Sequence, residues 1–298
     1  MSELKIGLIG LDTSHAPGFA SMLNNEANPH FIAGSRVVAG FPGGQRDFGL
    51  SWDRVEGYTK QLREEFGVEI LDSPAAVAQA CDAVIMSSVD GRAHLGFFEE
   101  IAPFGKPVFI DKPFTTTSAD ARAIDELARK HQVSLMSCSS LRYAGPLVEA
   151  LQSEEEVVGA DCSGPMSIQP TQPGLFWYGI HSVEMLYRIL GRGCSTVQAA
   201  TTEGHEFVTG VWNDGRIGTV RGYRDENWSF NALLNYPKRT QFVSTSQASI
   251  PPDVAMMHDI LTMFHGGEPA IEIGETLEIV RFIEAANESR ESGAVVKI

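Results

Sequence analysis

Short runs of uninterrupted apolar residues alternate with longer amphipathic stretches through the first 140 residues. The runs IGLIG, DAVIMSS and VFI lack polar alternation, as strands covered on both faces do. Predicted strands are Lys5 to Gly10, Arg36 to Gly40, Val68 to Leu71, Ala83 to Ser88, Pro107 to Ile110 and Val133 to Ser137, with helices near 14–24, 52–66, 74–80, 92–104 and 118–131. Asp72-Ser73-Pro74 supplies a cap and then a proline for the first helical turn. Strands and helices in this alternation predict a parallel sheet wrapped by helices.

After about residue 140 the rhythm changes. A strand from Glu155 to Cys162 leads through MSIQPTQPG to a helix at 177–190, and four or five strands follow in succession. FVTGVWNDGRIGTVRGY reads as two strands around an Asn-Asp-Gly turn, where Asn and Gly tolerate positive φ. Hairpin-linked strands predict an open, mostly antiparallel sheet; helices at 252–265 and 274–291 and a short VVKI strand complete the chain. The fold class is therefore α/β, with a Rossmann-like parallel domain over 1–140 and an α+β domain over 141–298.

Composition agrees with two folded domains. The 298 residues are 43% hydrophobic and 9% aromatic, enough for two cores. With 23 Lys+Arg against 38 Asp+Glu, the formal net charge is -15, which repels phosphate backbones and anionic headgroups. The expectation is no nucleic-acid partner and no membrane association. No apolar run approaches the roughly 18 to 20 residues of a membrane span, and MSELKIGLIGL lacks the pattern of a signal peptide. Cys81, Cys138, Cys162 and Cys194 lie far apart without a CxxC pair, which reads as buried thiols in a reducing, cytoplasmic setting. His258 and His265 share a helix face but have no third ligand, so no metal site is expected.

The first strand-to-helix turn is where this fold binds dinucleotides through GxGxxG. Here it is Gly10-Leu11-Asp12-Thr13-Ser14-His15, with the first glycine only. Asp12 stands where the second glycine admits a pyrophosphate. At about 4 Å, like charges repel by roughly 1 kcal/mol in water and about 4 kcal/mol at an effective dielectric of 20. Thr13, Ser14 and the helix N-terminus remain anion donors; equally, Asp12 or Thr13 simply caps the helix. No acid follows the second strand to hold a ribose hydroxyl, while Gly43, Gly44 and Arg46 suit a 2′-phosphate. NAD and NADP both remain open.

GKPVFIDKPF, residues 105–114, is the most informative segment. Asp111-Lys112-Pro113 ends a buried strand and sets an ammonium at the ligand-binding rim. The segment resembles the GKHVxxEKP signature of the glucose-fructose oxidoreductase and inositol dehydrogenase family (Gfo/Idh/MocA). LDSPAAVAQACDAVIMSS, with Ser88 at its end and His94 downstream, resembles the family's third-to-fourth strand region; SLRY, containing Arg142, resembles the start of its second domain. IEIGETLEIVRFIEAANESRESGAVVKI resembles its closing helix and strand.

That resemblance implies an NAD(P)-dependent oxidoreductase acting on a small molecule, a sugar, polyol or related hydroxy/keto compound, and a homo-oligomer, dimer or tetramer. It implies cofactor contacts from Gly10, Asp12, Thr13, Ser14, His15, Arg46, Ser88, His94, Asp111 and Pro113. Lys112 matches the lysine at the reacting hydroxyl, and His181 the histidine of a DxGxHxxD stretch that serves as general acid/base. Arg142, Trp177 and Tyr178 are expected to bind substrate. Trp177 departs from the pattern, because the family has Asp there; tryptophan stacks and donates one hydrogen bond but accepts no proton. Asp12, the missing acid and Trp177 keep two alternatives in view: a ligand-binding or regulatory relative without redox chemistry, and a lyase or hydrolase with a retained cofactor.

Overall fold

The computed structural model describes residues 3–298. The chain divides into two compact units, one comprising residues up to Thr115, Ala119–Cys138 and Met257–Ile273, the other Thr116–Ser118, Ser139–Met256 and Gly274–Ile298.

In the first unit, elements follow as β1 (Leu4–Ile9), α1 (His15–Asn24), β2 (Ser35–Phe41), α2 (Gly49–Phe66), β3 (Glu69–Ile70), α3 (Pro74–Ala80), β4 (Ala83–Met86), α4 (His94–Ile101), β5 (Val108–Asp111), α5 (Ser118–His131) and β6 (Leu135–Cys138). The sheet order is β3-β2-β1-β4-β5-β6 with every pair parallel. This is the doubly wound dinucleotide-binding order, whose crevice opens at the carboxyl ends of the strands where the order reverses, beside β1 and β4. The apolar runs form its core: Ile6, Leu8, Ile9, Val84, Ile85, Phe109 and Ile110 are wholly buried. The predicted cap on α3 forms, with Ser73 Oγ accepting the Ala76 N–H at 3.1 Å and Pro74 next in line.

The second unit holds α6 (Gly145–Ala150), β7 (Gly159–Pro165), α7 (Gly179–Leu190), β8 (Cys194–Thr201), β9 (His205–Trp212), β10 (Ile217–Tyr223), β11 (Asn231–Asn235) and β12 (Thr240–Ser244). Then come α8 (Pro252–Phe264), whose residues from Met257 group with the first unit, α9 (Ile273–Ser292) and β13 (Val296–Lys297). The sheet runs β12-β11-β7-β10-β9-β8-β13, antiparallel except for β7 beside β10. The hairpin between β9 and β10 turns through Asn213-Asp214-Gly215; only Gly215 takes positive φ, at +90°. The predicted strand at Glu155–Cys162 lies four residues later, as Gly159–Pro165.

One face of this sheet is covered by α7 against β7 and β10. The period-2 burial of β9 turns Val208 and Trp212 inward and Phe207 and Val211 outward. All four cysteines are buried and none is joined in a disulfide, and burial pushes the Cys81 thiol up to about 11, which keeps it inert at neutral pH. Among the described residues no helix is long and apolar enough to cross a membrane.

Candidate functional site

The chemistry-bearing residues fall into two sets, each within one unit. The first lies at the carboxyl ends of β1, β2, β4 and β5. The turn after β1 is drawn tight: the Gly10 N–H donates to Phe41 O at 3.0 Å, Leu11 N–H to Pro42 O at 2.8 Å, and Ser87 Oγ to Gly10 O at 2.7 Å. Gly10 sits at φ +85°, and a Cβ there would lie 2.4 Å from the Ser88 backbone, so only glycine fits.

The structure corrects the expectation for Asp12. Its side chain does not face an incoming anion but turns inward, wholly buried, where Ser51 Oγ donates to Oδ2 at 2.5 Å and the Val89 N–H to Oδ1 at 3.0 Å. It joins the β1 turn to the start of α2 and the end of β4, and does not cap α1. Burial raises its pKa above the ordinary carboxylate value, against the pull of those two donors. Its charge is thereby both turned away from the crevice and weakened.

What remains at the entrance to α1 suits phosphate. The first turn of α1 has no acidic residue, and Ser14, exposed at the N-cap, makes no side-chain capping bond; Ala16 N–H donates to Thr13 O at 3.3 Å, Gly18 N–H to Ser14 O at 3.1 Å, and Pro17 has no N–H, so the Ser14 hydroxyl and the weakly held His15 N–H are the donors left at this end. Thr13 Oγ1 is 3.4 Å from the His15 N–H, too long to count as a strong cap. His15, first residue of α1, donates from Nδ1 to Asp111 Oδ2 at 2.5 Å, joining this helix end to the Asp-Lys-Pro segment. Burial would push Asp111 up; the His15 charge and hydrogen bond, helped by Lys112, hold it below the ordinary carboxylate range. Lys112 is half-buried, and its peptide bond to Pro113 is cis.

Ser88 and His94 take different parts. Ser88 Oγ is wholly buried with no partner, at the end of β4 next to the Gly10 turn. His94 is wholly buried, its ring nitrogens 2.9 Å from Phe114 O and 3.0 Å from Ser88 O. It ties the β4 and β5 ends together and has no surface for a cofactor, which corrects its sequence-based role. Beyond β2, the Arg46 guanidinium lies over the exposed Trp52 ring at 5.0 Å, beside a cleft of about 450 Å³ lined by Pro42, Gly43, Trp52 and Lys60.

The residues that suit a dinucleotide here are the glycine-only turn at Gly10, the Ser14 hydroxyl exposed at the start of α1, and His15 beside Asp111.

The second set belongs to the other unit and centres on His181 in the first turn of α7. Its ring is edge-on to Tyr178 at 5.6 Å and to Phe230 at 5.5 Å; Tyr178 in turn meets Trp177 at 5.9 Å and Trp228 at 5.7 Å. The result is an aromatic wall with an imidazole in it. Gly164 on β7 makes room, since a Cβ there would lie 2.3 Å from Phe230. Ser139 Oγ is 2.7 Å from His181 Nδ1.

Arg142 is not placed to bind substrate. It is buried, donates to Glu184 Oε2 at 3.0 Å and pairs with Glu275. Burial pushes Glu184 up to about 7, Arg142 pulling it down and the Glu275 charge adding to the rise. One guanidinium between two buried carboxylates leaves an excess negative charge, which favours retaining a proton. Sequence reasoning missed Ser139, Trp228 and Phe230. The SLRY segment resembles only the start of a second domain and gives Ser139 no role, and nothing local ties residues 228–230 to His181.

Comparison with known proteins agrees with this geometry. Residues 43–138 match the Gfo/Idh/MocA family model, described as an oxidoreductase family with an NAD-binding Rossmann fold. The Salmonella typhimurium protein YceM, which carries an oxidoreductase name, is 26% identical over 153 residues, 51% of this chain and 44% of that protein. The chain thus matches less than half of that relative's length.

Solved structures share the fold at low identity. GenD2 from gentamicin A biosynthesis, in complex with NAD, has a TM-score of 0.80 at 15% identity, covering 100% of this chain and 97% of GenD2. The scyllo-inositol dehydrogenase of Lactobacillus casei, with NAD(H) and scyllo-inositol, gives 0.78 at 14% identity and 99% coverage of both chains. The UDP-N-acetylglucosamine 3-dehydrogenase GnnA of Acidithiobacillus ferrooxidans gives 0.78 at 14%, covering 98% of this chain and 99% of that one.

The fold is that of a dinucleotide-binding domain followed by an α+β domain, and residues 43–138 match a family of oxidoreductases with an NAD-binding Rossmann fold, a match that supports NAD or NADP as cofactor.

Proposed function

We propose that this protein is an NAD(P)-dependent oxidoreductase acting on a sugar, polyol or related hydroxy/keto compound. The observation that carries the reading is the Gly10–His15 turn with Asp12 folded inward and His15 held against Asp111, directly before Lys112. It answers the objection that a carboxylate in this loop repels pyrophosphate.

Gly10, Thr13, Ser14 and His15 hold the phosphates, Ser88 and Pro113 line the dinucleotide crevice, and Arg46 meets the adenosine end. Bound there, the nicotinamide supplies or takes up the hydride. In the first unit Lys112 is the residue to polarise a reacting oxygen, and in the second His181 is the residue to exchange a proton. Trp177 and Tyr178 offer ring faces to the apolar side of a cyclic substrate, in place of the carboxylate of the DxGxHxxD pattern. Trp177 is also the observation that favours the second reading, a relative that holds a sugar-like ligand without oxidising it.

Two experiments separate these readings. Protein purified without added ligand is denatured, and released nucleotide is read by absorbance and mass. Cofactor consumption is then followed with cyclitols and hexoses. Nucleotide binding with turnover supports the oxidoreductase; no bound nucleotide and no turnover supports the second reading, a relative that has lost standard dinucleotide binding.

A further inference from the structure

In this fold a dinucleotide whose pyrophosphate sits at the β1 turn is met at its adenosine ribose by residues after β2, which choose between a 2′-hydroxyl and a 2′-phosphate. Here the loop after β2 is fixed to that turn. Besides the backbone bonds from Gly10 to Phe41 and from Leu11 to Pro42, a Cβ on Gly43 would lie 3.3 Å from Gly10 Cα. Gly43 and Gly44 take φ of +64° and +90°, where glycine is favoured, and a Cβ on Gly44 would lie 3.2 Å from Val55 of α2. Ser51 Oγ accepts the Gln45 N–H at 2.7 Å while donating to Asp12. The buried Asp12 thereby ties the residue before Arg46 to the β1 turn.

The first acid after β2 is already engaged. Both carboxylate oxygens of Asp47 accept from Arg92, at 2.9 and 3.1 Å, and Arg92 also grips the buried Asp90. A ribose diol would have to break this bidentate pair before Asp47 could accept from it. Arg46 is the reverse case. Its guanidinium lies over the Trp52 ring at 5.0 Å, and among the described residues no carboxylate or carbonyl takes its N–H groups. A ring face holds a guanidinium through its π-electrons and consumes none of its N–H donors. In the cleft that Trp52 lines, Glu56 and Glu64 are matched in number by Lys60 and Arg63, so Arg46 adds a cation that those acids do not offset.

We propose that Arg46 selects the cofactor: it receives the 2′-phosphate of NADP(H), and the protein prefers NADP(H) to NAD(H). The inference rests on the dinucleotide-binding reading and narrows it from two cofactors to one. Arg46 meets that phosphate through charge-assisted hydrogen bonds, which strengthen binding about ten- to a hundredfold.

The test is calorimetric titration of the full chain, freed of nucleotide, with NADPH and NADH. A second pair, adenosine 2′,5′-bisphosphate and 5′-AMP, isolates the 2′-phosphate as the single difference. NADPH is expected to bind about tenfold or more tightly than NADH, and the bisphosphate to exceed 5′-AMP by a similar factor. In Arg46→Gln both ratios should fall towards one, and Arg46→Lys should keep part of them. The ratio is the readout because mere disorder of the loop would weaken both members of a pair together.

NADH binding as tightly as NADPH overturns the proposal and leaves the oxidoreductase reading standing, as does an NADPH preference that Arg46→Gln leaves intact. If no nucleotide of either pair binds, the reading and the proposal fall together. If Arg46→Gln does not fold, the wild-type ratios and Arg46→Lys still decide.

Discussion

Asp12 shows how one side-chain torsion can reverse a charge argument. In sequence it is an anion in a phosphate loop; in the fold its two oxygens are taken by Ser51 and Val89 at 2.5 and 3.0 Å. The loop position was legible because GLIGLDTSH follows an apolar strand. The orientation was not, because its partners lie 39 and 77 residues away. Asp12→Ala strands both buried donors and is expected to lower stability by about 1–3 kcal/mol in denaturant unfolding. It should leave nucleotide affinity no better than wild type; a marked gain would restore the repulsion argument.

Asp111 supplies the matching pH dependence. Its folded pKa lies below the ordinary value of 3.8, so it contributes stability that is present above that value and is lost as pH falls through the lower, folded one. Asp111→Asn should flatten the acid limb of the stability profile in that window.

At the scale of elements, α7 carries the second set of residues because its buried face is anchored from outside. Arg142 comes from the segment after β6, Glu275 from α9 and Glu184 from α7 itself, three pieces of chain that sequence spacing does not connect. Arg142 is expected to bind substrate from the resemblance of SLRY to the start of a second domain; here two carboxylates hold it inside. Arg142→Ala leaves buried carboxylates uncompensated and is expected to cost about 3–5 kcal/mol.

Glu184 adds a sign that can be checked. Its pKa rises from 4.5 to about 7 on folding, so the native state binds more protons than the unfolded chain in that interval, and this contribution to stability falls as pH rises through it. Glu184→Gln should remove that slope in unfolding measured from pH 4.5 to 7. An unchanged slope would show that Glu184 is ionised throughout.

The alternating runs that predicted strands and helices succeeded where burial is local, as in β1, β4, β5 and the β9–β10 hairpin. They could not give the parallel pairing of β7 with β10, in which Gly159 faces Ile217 across three intervening elements. Hairpin signals couple only neighbours, and β7 has none to its left.

For the whole molecule, the open face of the second sheet is the feature composition concealed. Phe242 is 61% exposed and Ile217 52%, with Phe207, Val211 and Leu233 also outward, on a chain whose net charge of -15 otherwise favours separation. We expect this face to join copies of the chain, as the resemblance implies. Light scattering should give a dimer or tetramer mass, and Phe242→Glu should shift it towards the monomer; a monomeric wild type would contradict this.

The central claim is that the first unit binds a nicotinamide dinucleotide despite Asp12, through the α1 N-terminus and His15. Its most direct test is calorimetric titration of the purified, nucleotide-free protein with NADPH and NADH, in wild type and His15→Ala. The account predicts saturable binding of at least one of them below millimolar concentration, weakened about tenfold in His15→Ala by loss of the His15–Asp111 contact that fixes the start of α1. No binding of either nucleotide at millimolar concentration would contradict it.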